Sequence, residues 1–183
     1  MTLKEMKQKT LRLIEEINPE SELLTDDPDI SAKINDVINQ IQFELSRIKK
    51  IPAKTQYEVE DYKIFTMYDE MYQVYRVTGC DSYDIFGREI IFPDNFTGLV
   101  TIYYYKYPDV IRANTKDTYT FELSDDALEI MPYGVAGDLL KSDVSNAYGN
   151  IYSQRYEQMK QQLDPRSHTG SIYIESGDNY EFL

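Results

Sequence analysis

Apolar residues Leu3, Met6, Leu13, Ile14 and Ile17 recur near helical spacing and predict an amphipathic helix over residues 2–17. Thr2 stands at the N-cap with Glu5 three residues on, the capping-box pattern. Asn18-Pro19 ends this helix, because proline disfavours helical geometry in the residue before it. Residues 20–29 read as an acidic loop that Leu23 and Leu24 pin to the core. Ser31 then caps a second helix whose stripe is Ile34, Val37, Ile38, Ile41, Leu45 and Ile48. Lys49-Lys50 places positive charge at the negative end of its dipole, and Pro52 follows.

From Gln56 the period changes to two. Tyr57 and Val59, then Ile64, predict a first strand; Tyr72, Val74 and Arg76 alternating with Tyr75 and Val77 predict a second. Tyr68-Asp69-Glu70 is the turn between them, and residues 79–83 form a loop. Residues 85–90 predict a tight hairpin around Gly87, with Ile90-Ile91-Phe92 as its return strand before Pro93-Asp94-Asn95. Leu99 to Tyr107 is the strongest strand, β-branched and aromatic. Consecutive Tyr103, Tyr104 and Tyr105 require that one of its faces meet something amphipathic. A polar loop spans residues 109–117, and Tyr119-Thr120-Phe121 closes the β block.

Helical spacing returns after Ser124-Asp125-Asp126, a cap followed by two carboxylates at the positive end of a helix. The stripe is Leu128, Met131, Val135, Leu139 and Leu140; Pro132 inside it predicts a kink or a later start. Gly134, Ala136 and Gly137 leave one face flat for close packing. Residues 143–145 turn into a last helix with Ala147, Tyr148, Ile151, Tyr152, Tyr156, Met159 and Leu163, ending at Asp164-Pro165. The predicted fold is α+β: a bundle of four helices, two N-terminal and two C-terminal, with an antiparallel β insertion and an extended C-terminal tail. The expected layout is residues 1–55 and 123–166 for the helical pairs, 56–122 for the insertion and 167–183 for the tail. No internal repeat or low-complexity tract is visible.

Composition narrows the function more than it names it. The 183 residues suit one domain with an insertion, and 42% hydrophobic residues support a packed core. No apolar run approaches the roughly 18 residues of a membrane span, and residues 1–5 do not open a signal peptide. The expectation is therefore a chain made in the cytoplasm. Lone Cys80 excludes an internal disulfide and a cysteine zinc site, and reads as a small apolar filler. The net charge of −13 is uneven: residues 1–55 carry nine basic against ten acidic side chains, residues 56–123 six against twelve, and residues 124–183 four against ten. Such a surface repels phosphate and disfavours nucleic-acid binding through a basic patch.

The chemistry is sparse. His168 has no second histidine to form a metal or triad site with. Asp26/Asp27 and Asp125/Asp126 lack EF-hand spacing, and capping explains the second pair better. Among 32 acids nothing singles out a glycosidase pair. No catalytic, cofactor-binding or metal residue is therefore expected, and no cofactor. The 17 tyrosines fill a sheet and a helix seam, or present an adhesive protein surface, since tyrosine gives contact area at low entropic cost. The tail favours contact with a partner. Ile172, Tyr173 and Ile174 alternate as a strand that needs a sheet edge, its own or a neighbour's, and Tyr180 and Phe182 follow.

Residues 123–143 read Leu-Ser-Asp-Asp-Ala-Leu-Glu-Ile-Met-Pro-Tyr-Gly-Val-Ala-Gly-Asp-Leu-Leu-Lys-Ser-Asp, followed by Ala147-Tyr148 and Arg155-Tyr156-Glu157-Gln158-Met159. This resembles the head-to-tail connector (adaptor) proteins of tailed bacteriophages over residues 123–165, and in layout over residues 2–50. The resemblance implies a structural virion protein at the head–tail neck: a ring, a dodecamer in the family, stacked below the portal. Its partners would be other copies of itself, the portal protein and the next neck or tail protein. DNA would pass through without specific binding, and no membrane would be involved. A different tail or neck completion protein, or a small enzyme with a pocket between sheet and bundle, are the rival readings.

Overall fold

The computed structural model describes residues 1–18, 20, 24–141 and 147–163. Within them the fold is mixed α+β, with four helices and two three-stranded antiparallel sheets. Helix α1 (Leu3–Leu13) opens on the expected capping box: Thr2 N donates to Glu5 Oε2 at 2.8 Å and Glu5 N to Thr2 Oγ1 at 3.2 Å. It stops four residues short of the predicted Ile17. Glu15 adopts a left-handed φ of 61°, and the N–H groups of Glu15 and Glu16 bond back to Arg12 O and Leu11 O. That is a Schellman ending, which closes the helix before Pro19 can act.

Helix α2 (Pro28–Ile48) starts a turn earlier than Ser31, a second correction. Asp27 is the cap, accepting from Asp29 N at 2.8 Å and Ile30 N at 3.1 Å, with Pro28 in the first turn where its missing N–H is harmless. Its stripe buries Ile34, Ile38, Ile41 and Leu45, with Val37 half-buried. Helix α3 (Asp125–Leu140) runs continuously through Pro132, so the later start does not occur. Helix α4 (Ala147–Gln161) completes the set; the expected turn at residues 143–145 lies outside the described residues.

Helix α3 is buried on nearly every side and packs against α1, α2 and α4. Its flat face is real. A Cβ on Gly134 would lie 3.0 Å from the Tyr156 ring, and one on Gly137 would lie 2.5 Å from Ser153 Oγ and 2.9 Å from Ser153 N. The predicted stripe of α4 is only partly inward: Tyr156 is buried, whereas Tyr148 and Ile151 are exposed. The helical core gathers Leu3, Met6, Leu11, Ile38, Leu45 and Met131, among others.

The first sheet has the order β1-β6-β3, with β1 (Ile51–Val59), β3 (Met71–Thr78) and β6 (Gly98–Lys106) at its centre. Strand β1 begins five residues before Gln56, inside the stretch assigned to the N-terminal helical pair. Pro52 does not prevent this, because β1 is an edge strand with one side unpaired. The reading that joined Tyr57, Val59 and Ile64 also divides: β2 (Ile64–Thr66) belongs to the second sheet, β2-β5-β4, with β4 (Asp84–Phe86) and β5 (Glu89–Ile91). The hairpin at Gly87 forms as expected, with φ 61°. Between the sheets Val59, Phe65, Ile90, Phe92, Val100, Ile102 and Tyr104 form a second core, and Cys80 is buried with it.

Tyr119-Thr120-Phe121 does not close the β block. Leu3 N donates to Tyr119 O, Phe121 N donates to Met1 O, and Phe121 joins the helical core. Side chains of α2 fasten the loop that follows β6, whose Ile111 belongs to the helical core. Asn39 exchanges hydrogen bonds with the backbone of Ile111 at 2.8 and 2.7 Å, and Gln42 Nε2 donates to Asp109 O at 2.8 Å. Lys49 at the end of α2 pairs with Asp126 of α3 at 2.6 Å, and Lys106 at the end of β6 pairs with Glu122 at 2.7 Å. Among the described residues no helix is long and apolar enough to cross a membrane.

Candidate interaction face

Alternation along β6 sends Val100, Ile102 and Tyr104 into the inter-sheet core and Thr101, Tyr103 and Tyr105 to the opposite face, where Tyr105 is buried, 3% exposed, against Tyr75 and Lys50. Strand β3 does not keep the strict alternation expected of it. Register shifts at Tyr72 and Tyr75 let Met71, Val74 and Val77 all serve the core, and turn both tyrosines outward. The result is an aromatic layer over the centre of the outer face. Tyr75 and Tyr105 stack at 4.5 Å between centroids, Tyr72 lies 5.4 Å from Tyr107, and Phe43 of α2 lies 5.9 Å from Tyr107.

Cations occupy the same face. The register sets Lys54 of β1 and Arg76 of β3 directly opposite Tyr103 on its two sides. The Arg76 guanidinium carbon is 5.8 Å from the Tyr103 ring centre. Lys50 Nζ lies 4.8 Å over Tyr105 and donates to Gln73 Oε1 at 3.0 Å. Such contacts hold a cation on an aromatic face. Neither Lys54 nor Arg76 has an ion-pair partner among the described residues. Burial, with neighbouring Tyr105 and Tyr103 adding to it, raises the Tyr75 hydroxyl above its ordinary range. On the core side, burial and the Glu70 hydrogen bond (3.0 Å) push Tyr104 up to about 12. Tyr75 is therefore neutral at physiological pH, beside the positive charges of Lys50 and Arg76.

The far end of the same sheet has the opposite sign. Val59 pairs with Gly98, so the loops after β1, after β3 and before β6 converge there. They and the start of β4 carry exposed Glu60, Asp61, Asp81, Asp84 and Asp94, beside Tyr62 at 68% exposure. Lys63 at this end donates to the carbonyls of Glu60 and Phe96.

The partner-binding residues expected from the sequence, Ile172, Tyr173, Ile174, Tyr180 and Phe182, lie outside the described residues, as does His168. The acidic pairs are absorbed by local structure. Asp27 caps α2, Asp26 accepts from Asn18 Nδ2 at 2.7 Å, and Asp126 accepts from Ala127 N and pairs with Lys49. Among the described residues no cluster of three or more His, Cys, Asp or Glu could hold a metal ion.

A groove of about 520 Å³ between α1 and the start of α3 is lined by mixed charges, including Glu5, Lys9, Arg12 and Glu129. Two smaller grooves also lie against the helices. Sequence reading missed the cationic face. Tyr103 and Tyr105 signalled an amphipathic contact, but the alignment of Lys54 and Arg76 with them depends on register and on two bulges. No protein-family model and no curated protein matches this chain.

Proposed function

We propose that this chain is a structural subunit of the tailed-phage neck, a head-to-tail connector that forms a ring below the portal and docks the next neck or tail protein. The observation that carries the reading is the cationic, tyrosine-rich sheet face on a chain of net charge −13. Tyrosine and arginine are the residues enriched in protein–protein interfaces, and a ring needs two different complementary surfaces on each subunit. The helices and the two sheets have separate cores, which offers one part for stacking and another for docking. Overall acidity suits a channel that DNA traverses without sticking. The partners are then further copies of this chain, the portal protein and the following neck or tail protein, in the virion. Native mass spectrometry of the full chain, alone and mixed with the portal protein of the same phage, tests this. A ring-sized species, or capture by the portal, supports it. A monomer under both conditions contradicts it.

A further inference from the structure

We propose that the cationic aromatic face of the first sheet is occupied by the acidic far end of the same sheet in a second copy of the chain. The inference rests on the assembly reading above and names the contact that would build the ring. Charge complementarity carries it. Lys54 and Arg76 flank half-buried Tyr103, Lys50 and exposed Tyr75 cover the buried Tyr105, and Glu60, Asp61, Asp81 and Asp94 are gathered on the loops at the other end. None of these four acids has an ion-pair partner among the described residues.

One copy does not make this pairing within itself. Tyr103 and Gly98 are five positions apart on one extended strand, about 17 Å at roughly 3.4 Å per residue, and the strand is held straight by partners on both sides. The loop after β3 leaves nearer, level with Thr101, yet none of the four acids pairs with Lys50, Lys54 or Arg76 of the same copy, and a neighbour's can meet them. The contact is head-to-tail, because face and end are different surfaces, so each copy keeps one of each for the next. Exposed Tyr62 adds an apolar anchor at the centre of the acidic end, to meet the tyrosine layer.

Two measurements on the full chain test this. Light and nitrogen-15-labelled chains are mixed and treated with a zero-length carbodiimide, which joins lysine to carboxylate only at contact. Mixed-isotope cross-links from Lys50 or Lys54 to Asp61 or Asp81 are expected. In sedimentation velocity, Lys54→Glu with Arg76→Glu is expected to weaken self-association about tenfold or more, and raised salt to weaken the parent in the same direction. Adding Asp61→Lys and Asp81→Lys to the reversed chain is expected to restore it. Lys54→Gln with Arg76→Gln serves as the milder pair should the reversed variant not fold. A ring-sized species insensitive to these changes overturns the contact and leaves the assembly reading standing. Monomers at every concentration and salt, with portal present or absent, overturn both.

Discussion

Replacing Gly137 by alanine tests the packing of α3 on α4, on which the helical core depends. In a helix interior the change is ordinarily favourable by about 1 kcal/mol, through propensity alone. Here the new methyl carbon would lie 2.5 Å from Ser153 Oγ, 2.9 Å from Ser153 N and 3.2 Å from Ser153 Cα. The hydroxyl can rotate away, but the amide nitrogen and Cα move only if α4 moves. Overpacking of this kind costs about 1–3 kcal/mol, and contact with backbone puts Gly137→Ala in the upper half of that range. The net expectation is a loss of about 1–2 kcal/mol. For a chain of this size that lowers the melting temperature by about 2–8 °C. Thermal unfolding followed by circular dichroism reads it directly. Ser153→Ala added to Gly137→Ala should recover part of the loss and not all, since the backbone contacts remain. A Gly137→Ala chain that melts at or above the parent temperature would refute the close packing of α3 on α4.

Asn39→Ala removes both hydrogen bonds to the buried backbone of Ile111, so the urea midpoint should fall by an amount worth about 2–3 kcal/mol with the slope unchanged. Asp126 is partly buried, which raises its pKa, but hydrogen bonds from Lys49, Ser124 and the Ala127 amide outweigh this and hold it below the ordinary value. A depressed native pKa gives stability that is present above the unfolded value of about 4 and is lost as pH falls through the native one. Lys49→Met should flatten that acid limb in pH-dependent melting; an unchanged limb would remove the pair from the account. Tyr104, raised to about 12 by burial and its bond to Glu70, has the opposite sign: its stability is intact below about pH 10 and declines from there to about pH 12. Tyr104→Phe should weaken this alkaline decline in denaturant titrations, and a profile superimposable on the parent's would contradict it.

Elements governed by neighbours in sequence were legible. The capping box at Thr2 and Glu5, the α2 stripe, the Gly87 hairpin and the glycine face of α3 all follow from local chemistry. Boundaries slipped where two local signals competed. Asp27-Pro28 outcompeted Ser31 as a cap because its carboxylate reaches two amides, and a Schellman ending acted before Pro19. Pro52 looked like a breaker and is tolerated because β1 is an edge strand, a fact set by the sheet order and not by residues around position 52. Tyr148 and Ile151 were expected in the seam of α4 and are exposed, since glycines on α3 draw Ser153 and Tyr156 inward instead. The candidate face was the least legible part. Lys54, Arg76 and Tyr103 come from three strands, and two bulges in β3 decide which side chains face outward.

The proposed connector role is tested most directly by electron cryomicroscopy of tailed-phage particles made from a genome that carries this sequence. The expected result is a ring of repeated copies at the neck, below the portal, whose density the four helices and two sheets fit. Mature particles with a neck fully explained by other proteins, and none of this chain in their protein content, would contradict it.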